Sequence, residues 1–146
     1  MAGRTRAELE AIIETIRDAW QRRDVATLVS FHAPDGVVES PMYGTRRGHA
    51  EIDESYSAFF RSFPDAVMTV ESMVVDPPNV AGFMTIGATH SAEFFGLPGT
   101  SRHIDMRVAR FMRFDDAGLI VHERRIYDFT GVLVQVGVLR AKPAKP

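Results

Sequence analysis

Few side chains in this chain combine a chemically useful group with an apolar setting. His90 is one of them. Every second residue from Gly82 through Met84, Ile86, Ala88, His90 and Ala92 to Phe94 is apolar or small, save the histidine, and successive side chains of a strand point to opposite faces. The core-facing row therefore carries one imidazole, able to accept or donate a proton near neutral pH. Arg110 is the second. It interrupts the row Ile104, Met106, Val108, Met112, Phe114, and a guanidinium there is a fixed positive charge facing an apolar interior. His103 and Asp105 share the opposite face and could chelate a metal, but no third donor follows at suitable spacing, so no metal is expected. Ser40 has neither a nucleophile-elbow motif nor a partner base. The chain has no cysteine, which excludes thiol nucleophiles, zinc-thiolate sites and disulfides.

The elements that position these groups change period midway. Thr5 to Gln21 reads as a helix with Leu9, Ile12, Ile13, Ile16, Ala19 and Trp20 at helical spacing, and Thr5 with Glu8 forms a capping box. Asp24 caps a short helix carrying Val25, Leu28 and Val29, and His32-Ala-Pro-Asp-Gly36 breaks the chain. Val37 to Ser40 is a short strand. A third helix covers about Ala50 to Phe63, with Ile52, Tyr56, Phe59, Phe60 and Phe63 as its stripe, stopped by Pro64. Strands are then expected over Ala66–Val75, Val80–Phe94, His103–Phe114 and Leu119–Tyr127, separated by Pro- and Gly-bearing turns. Asp128 caps a last short helix with Val132, Leu133 and Val136, closed by Gly137. Helices followed by consecutive strands imply an α+β fold with the helices on one sheet face. A single domain is expected over 1–140, with a flexible tail over 141–146. His32, His49 and His122 read as surface or turn residues.

Composition narrows the functions. Net charge is −2, and no basic stripe interleaved with aromatics occurs, which argues against nucleic acid. No run reaches the ~18 apolar residues of a membrane span. A soluble, cytoplasmic protein is expected. Ten Phe and seven Met suit an adaptable apolar cavity.

The segment GATHSAEFFGLPGTSRHID, with the closing RFMRFDDAGLIVHERRIYDFTGVLVQVGVL, resembles the SnoaL-like polyketide cyclase (ester cyclase) family. Asp128, Leu133, Gln135 and Gly137 stand at that family's terminal-helix positions, and His90 matches a family histidine. The resemblance implies the cone-shaped α+β barrel of the nuclear transport factor two superfamily. In that fold a curved, mostly antiparallel sheet wraps three N-terminal helices, a short C-terminal helix follows, and a cavity opens at the wide end. It further implies a cofactor-independent enzyme acting on a small apolar carbonyl substrate, and a homodimer or higher homo-oligomer.

Departures from the family accompany the likeness. Arg125 aligns with the acid/base aspartate of the characterised cyclases, and Arg110 with a histidine. Ketosteroid isomerases carry their base at the position of Ser40 in Val38-Glu39-Ser40-Pro41, and limonene-type epoxide hydrolases need a carboxylate where Arg125 stands. Taking the family aspartate as register turns Val121, Glu123, Arg125 and Tyr127 inward, unless a one-residue bulge intervenes. The expected catalytic cluster is His90, Glu123, Arg110 and Arg125, with Glu123 or His90 as proton acceptor and the arginines as oxyanion holders. Trp20, Ser40, Tyr43, Met106, Val108 and Tyr127 are the expected substrate-binding residues. Two readings stay open. One is an enzyme of cyclase type, with isomerase, epoxide hydrolase or dehydratase chemistry as variants. The other is a non-catalytic ligand-binding or assembly module, in which Glu123 and the arginines form a structural ion network.

Overall fold

The computed structural model describes residues 2–140 together with 142 and 145. The expected flexible tail at 141–146 otherwise lies outside the described residues. Ten elements follow in order: α1 (Arg6–Gln21), α2 (Val25–Ser30), β1 (His32–Ser40), β2 (Gly44–Arg47), α3 (Gly48–Ser62), β3 (Val67–Asp76), β4 (Asn79–Thr89), β5 (His103–Phe114), β6 (Ile120–Ile126) and α4 (Phe129–Val136). The strands form one sheet in the order β2-β1-β6-β5-β4-β3. Only β1 and β6 pair in parallel. The α+β architecture is the expected one.

Local chemistry sets the helix boundaries. Thr5 and Glu8 complete the capping box of α1, and Asp24 and Asp128 each accept an amide hydrogen bond as N-caps of α2 and α4. Gly137 closes α4 at φ 90°, in the left-handed region. The faces these helices bury, led by Leu9, Ile13 and Ile16 of α1 and Ile52, Tyr56 and Phe60 of α3, meet the concave side of the sheet in one core.

Four expectations are corrected. His32 to Gly36 is no break but the first half of β1, whose register against β6 shifts between His32 and Val37. Gly36 permits this bulge, because a Cβ there would stand 2.9 Å from the Ile120 carbonyl oxygen. The short charged strand β2 was not anticipated, since nothing in Gly44-Thr-Arg-Arg47 alternates in polarity. In addition, β4 ends at Thr89, so His90 opens a loop. A bulge also interrupts β6 and corrects the inward place expected for Val121, while Glu123 keeps its own. The β5–β6 register slips between Arg113 and Phe114, leaving Val121 unpaired, so that Glu123 and Ile120 both face the core.

A candidate ligand cavity beside a buried charge network

The concave side of the sheet and α3 enclose a cavity of about 60 Å³. Met84 and Ile86 of β4, Met106, Val108 and Arg110 of β5, and Arg125 of β6 form its sheet wall. Trp20 of α1 and Tyr56 and Phe59 of α3 form its roof. Met42 and Tyr43 in the β1–β2 turn, Met68 and Tyr127 complete the lining with Ser55. Four methionines in so small a space make it expandable, because an unbranched thioether changes rotamer at little cost.

The polar side of this cavity is a chain of contacts. Glu123 is only 1% exposed and takes a hydrogen bond and ion pair from Arg125. Burial opposes ionisation of Glu123, but the positive charges of Arg125 and Arg110 outweigh it and hold the carboxyl below its usual range. Arg125 Nη2 donates to the Tyr56 hydroxyl at 2.9 Å and the guanidinium also lies over the Tyr56 ring. On the far side of that hydroxyl stands His32 Nε2, 3.5 Å away. Burial pushes His32 down to about 4, against the attraction of Glu123. His32 is therefore neutral at neutral pH. Its carbonyl oxygen is contacted by His49 Nε2 at 2.8 Å. Burial also raises Tyr56, so its hydroxyl stays protonated.

Of the expected site residues, Arg110, Arg125, Trp20, Tyr43, Met106, Val108 and Tyr127 line the cavity. Glu123 sits one layer behind Arg125. Ser40 supports the lining from outside it: its Oγ accepts from the Tyr43 amide at 3.2 Å. His90 does not line the cavity. Its ring is fully buried between Phe63 and Phe94, with centroids 5.8 and 6.0 Å away. Nδ1 of His90 meets the Thr100 hydroxyl at 2.9 Å, and its backbone bonds Arg102 and Ser101. It pins the loop after β4 shut. The pleat carries on past Thr89, so that Ala88 and His90 stay buried in phase with Met84 and Ile86, but the imidazole packs against Phe63 and Phe94 instead of lining the cavity.

Two contributors escaped sequence reasoning. Tyr56 looked like one more aromatic in a helical stripe. His32 looked like a turn residue, yet it is 1% exposed. A signal did exist for Tyr56, the one residue of its stripe with a hydroxyl. For His32 none existed, because the bulge of β1 is a product of its pairing with β6.

A sheet coiled around three helices, with an apolar cavity carrying a few polar groups on its wall, is the arrangement of the nuclear transport factor two-like fold. Residues 10–136 match the profile of the SnoaL-like polyketide cyclase family, and the chain belongs to that family. Among solved structures, AclR from Streptomyces galilaeus is 26% identical, with a TM-score of 0.81 over 93% of this chain and 100% of that one. IdmH from Streptomyces antibioticus is 30% identical, with a TM-score of 0.75 over 89% of this chain and 99% of that one. A SnoaL-like polyketide cyclase of Agrobacterium tumefaciens shares the fold at 18% identity and a TM-score of 0.71, over 94% and 100% of the two chains. No curated protein matches the chain. Among the described residues, no helix is long and apolar enough to cross a membrane.

Proposed function

We propose that this chain is a cofactor-independent enzyme of cyclase type that binds a small, largely apolar carbonyl compound in the cavity and acts on it by acid/base chemistry. The observation that carries this reading is the Tyr56 hydroxyl. It stands on the cavity wall and already accepts a hydrogen bond from Arg125. With that lone pair engaged, its own proton can pass from the long 3.5 Å contact with His32 Nε2 to a carbonyl oxygen in the cavity, and the guanidinium beside it stabilises the negative charge that grows there on enolisation. Glu123 is the proton acceptor of the cluster. Arg125 covers it, so the reading requires that pair to open toward the substrate. His90 has no part in this reaction and holds the neighbouring loop.

The test needs no knowledge of the natural substrate. Deuterium exchange at the α-carbons of pentan-2-one, followed by NMR in heavy water, reports enolisation directly. The wild-type protein accelerates it over buffer, while Tyr56→Phe and Glu123→Gln each cut the rate by ~10²-fold and stay folded. Absence of any acceleration by wild type ends the catalytic reading.

One observation favours the second reading, a ligand-binding module. No carboxylate or imidazole is among the residues lining the cavity, because Arg125 occupies the family's carboxylate position. Ligand binding without exchange would identify it.

Assembly belongs to the same proposal. Val74, Phe83, Phe111 and Ile126 are exposed on adjacent strands of the convex sheet face. An apolar patch of this kind suits a second copy of the chain packing sheet to sheet, and light scattering of wild type against Phe83→Arg distinguishes dimer from monomer.

A further inference from the structure

The cavity wall holds more positive than negative charge. Arg110 and Arg125 both line it. Glu123 is the carboxylate whose field both guanidinium groups feel, and Arg125 engages it in a direct ion pair. Arg110 is left with no carboxylate within ion-pair distance among the described residues. The tyrosines on the wall are no substitute, since burial raises Tyr43, Tyr56 and Tyr127 and keeps all three neutral. Around the part-buried Arg110 the wall is apolar, formed by Met84, Ile86, Met106 and Val108. A charge placed against such a surface is stabilised when an anion pairs with it.

We propose that the ligand supplies this anion: a small aliphatic monocarboxylate whose carboxylate pairs with Arg110 while its chain lies along the methionine wall. The planar guanidinium offers two parallel N–H donors to a carboxylate, the geometry of the strongest such pairs. The proposal rests on the cavity being a ligand site, as in the reading above, and goes beyond it. The substrate carries a full negative charge before any chemistry, separate from the carbonyl oxygen that Tyr56 addresses. The cavity of about 60 Å³, expandable through its methionines, limits that chain to a few carbons.

Arg110 also borders a hollow on the convex sheet face, so the reporter must lie inside the cavity. Trp20 does: it is the chain's single tryptophan and lines the cavity. Its fluorescence is titrated at pH 7.5 with pentanoate, pentanamide and pentan-2-one. We expect pentanoate to bind at least about tenfold more tightly than either neutral probe. Arg110→Gln erases that ratio and Arg110→Lys keeps most of it, with circular dichroism confirming the fold of both. Should Arg110→Gln not fold, loss of the ratio in Arg110→Met carries the same meaning. Equal affinities for pentanoate and pentan-2-one in wild type overturn the charged-ligand inference and leave the carbonyl reading standing. A preference that survives Arg110→Gln overturns the role of Arg110. No response to any probe removes the ligand cavity and the inference with it.

Discussion

His32 and His90 are both fully buried imidazoles, and each has one ring nitrogen without a partner, Nδ1 in His32 and Nε2 in His90. Their surroundings differ in kind. Around His90 stand the rings of Phe63 and Phe94 and a hydroxyl from its own loop. The field at His32 comes from Glu123, Arg125, His49 and Arg110, and its ring contacts a cavity-lining tyrosine. Burial alone thus says nothing about role. A histidine enclosed by hydrocarbon is a clamp, whereas one that borders charged neighbours at a cavity takes part in their electrostatics. The residue that motif and alternation favoured is the clamp.

The largest effect that sharpens this contrast lies on the charged side. Glu123→Leu strands the Arg125 guanidinium beside the core and is expected to cost about 3–5 kcal/mol, measured by urea unfolding. The double variant Glu123→Leu/Arg125→Met recovers most of that loss, since no lone charge remains. A single-variant cost below about 1 kcal/mol would show that the pair is solvated after all.

The next effect is a pH dependence. His32 titrates at about 4 in the folded chain, against ~6.5 in the unfolded chain. Between those values the unfolded state binds more protons, so stability falls as pH drops from about 6.5 to 4, by up to about 3 kcal/mol. Glu123, held below its usual range, adds a further loss that sets in as pH falls through the ordinary carboxyl value of 4.5. His32→Leu removes the first slope, and an unchanged profile in that variant would break the comparison from the charged side.

The smallest effect tests the clamp. His90→Ala leaves a gap between Phe63 and Phe94 and unties the loop, at about 2 kcal/mol. Amide exchange of Ser101, which donates to the His90 carbonyl, becomes faster, while exchange at Arg125 does not change. Faster exchange at both positions would mean that His90 supports the cavity network as well as the loop.

Much of the fold was legible because its signals are local. The Thr5–Glu8 box, the Asp24 and Asp128 caps, Gly137 and the alternation of Ile104 to Phe114 each specify an element through neighbours a few residues apart. β2 and the first half of β1 were not legible, because the former has no polarity pattern and the latter is a strand only through its partner β6. The site divides in the same way. Arg110, Met106 and Val108 followed from pleating alone, whereas Arg125 and Glu123 needed a register borrowed from a family. The bulge at Val121 keeps that register compatible with a buried Ile120.

By itself the sequence determined which faces are apolar, where helices start and stop, and that the Arg110 guanidinium must face the interior of the sheet. Those follow from side-chain period and from backbone groups that need caps. The tertiary structure alone decided which of them meet. Strand ends, bulges and the parallel β1–β6 pairing are set by contacts between residues nearly ninety positions apart, as between His32 and Ile120, and no local pattern records them. Those contacts set Tyr56 and His32 beside Arg125, and left His90 sealed in aromatic packing.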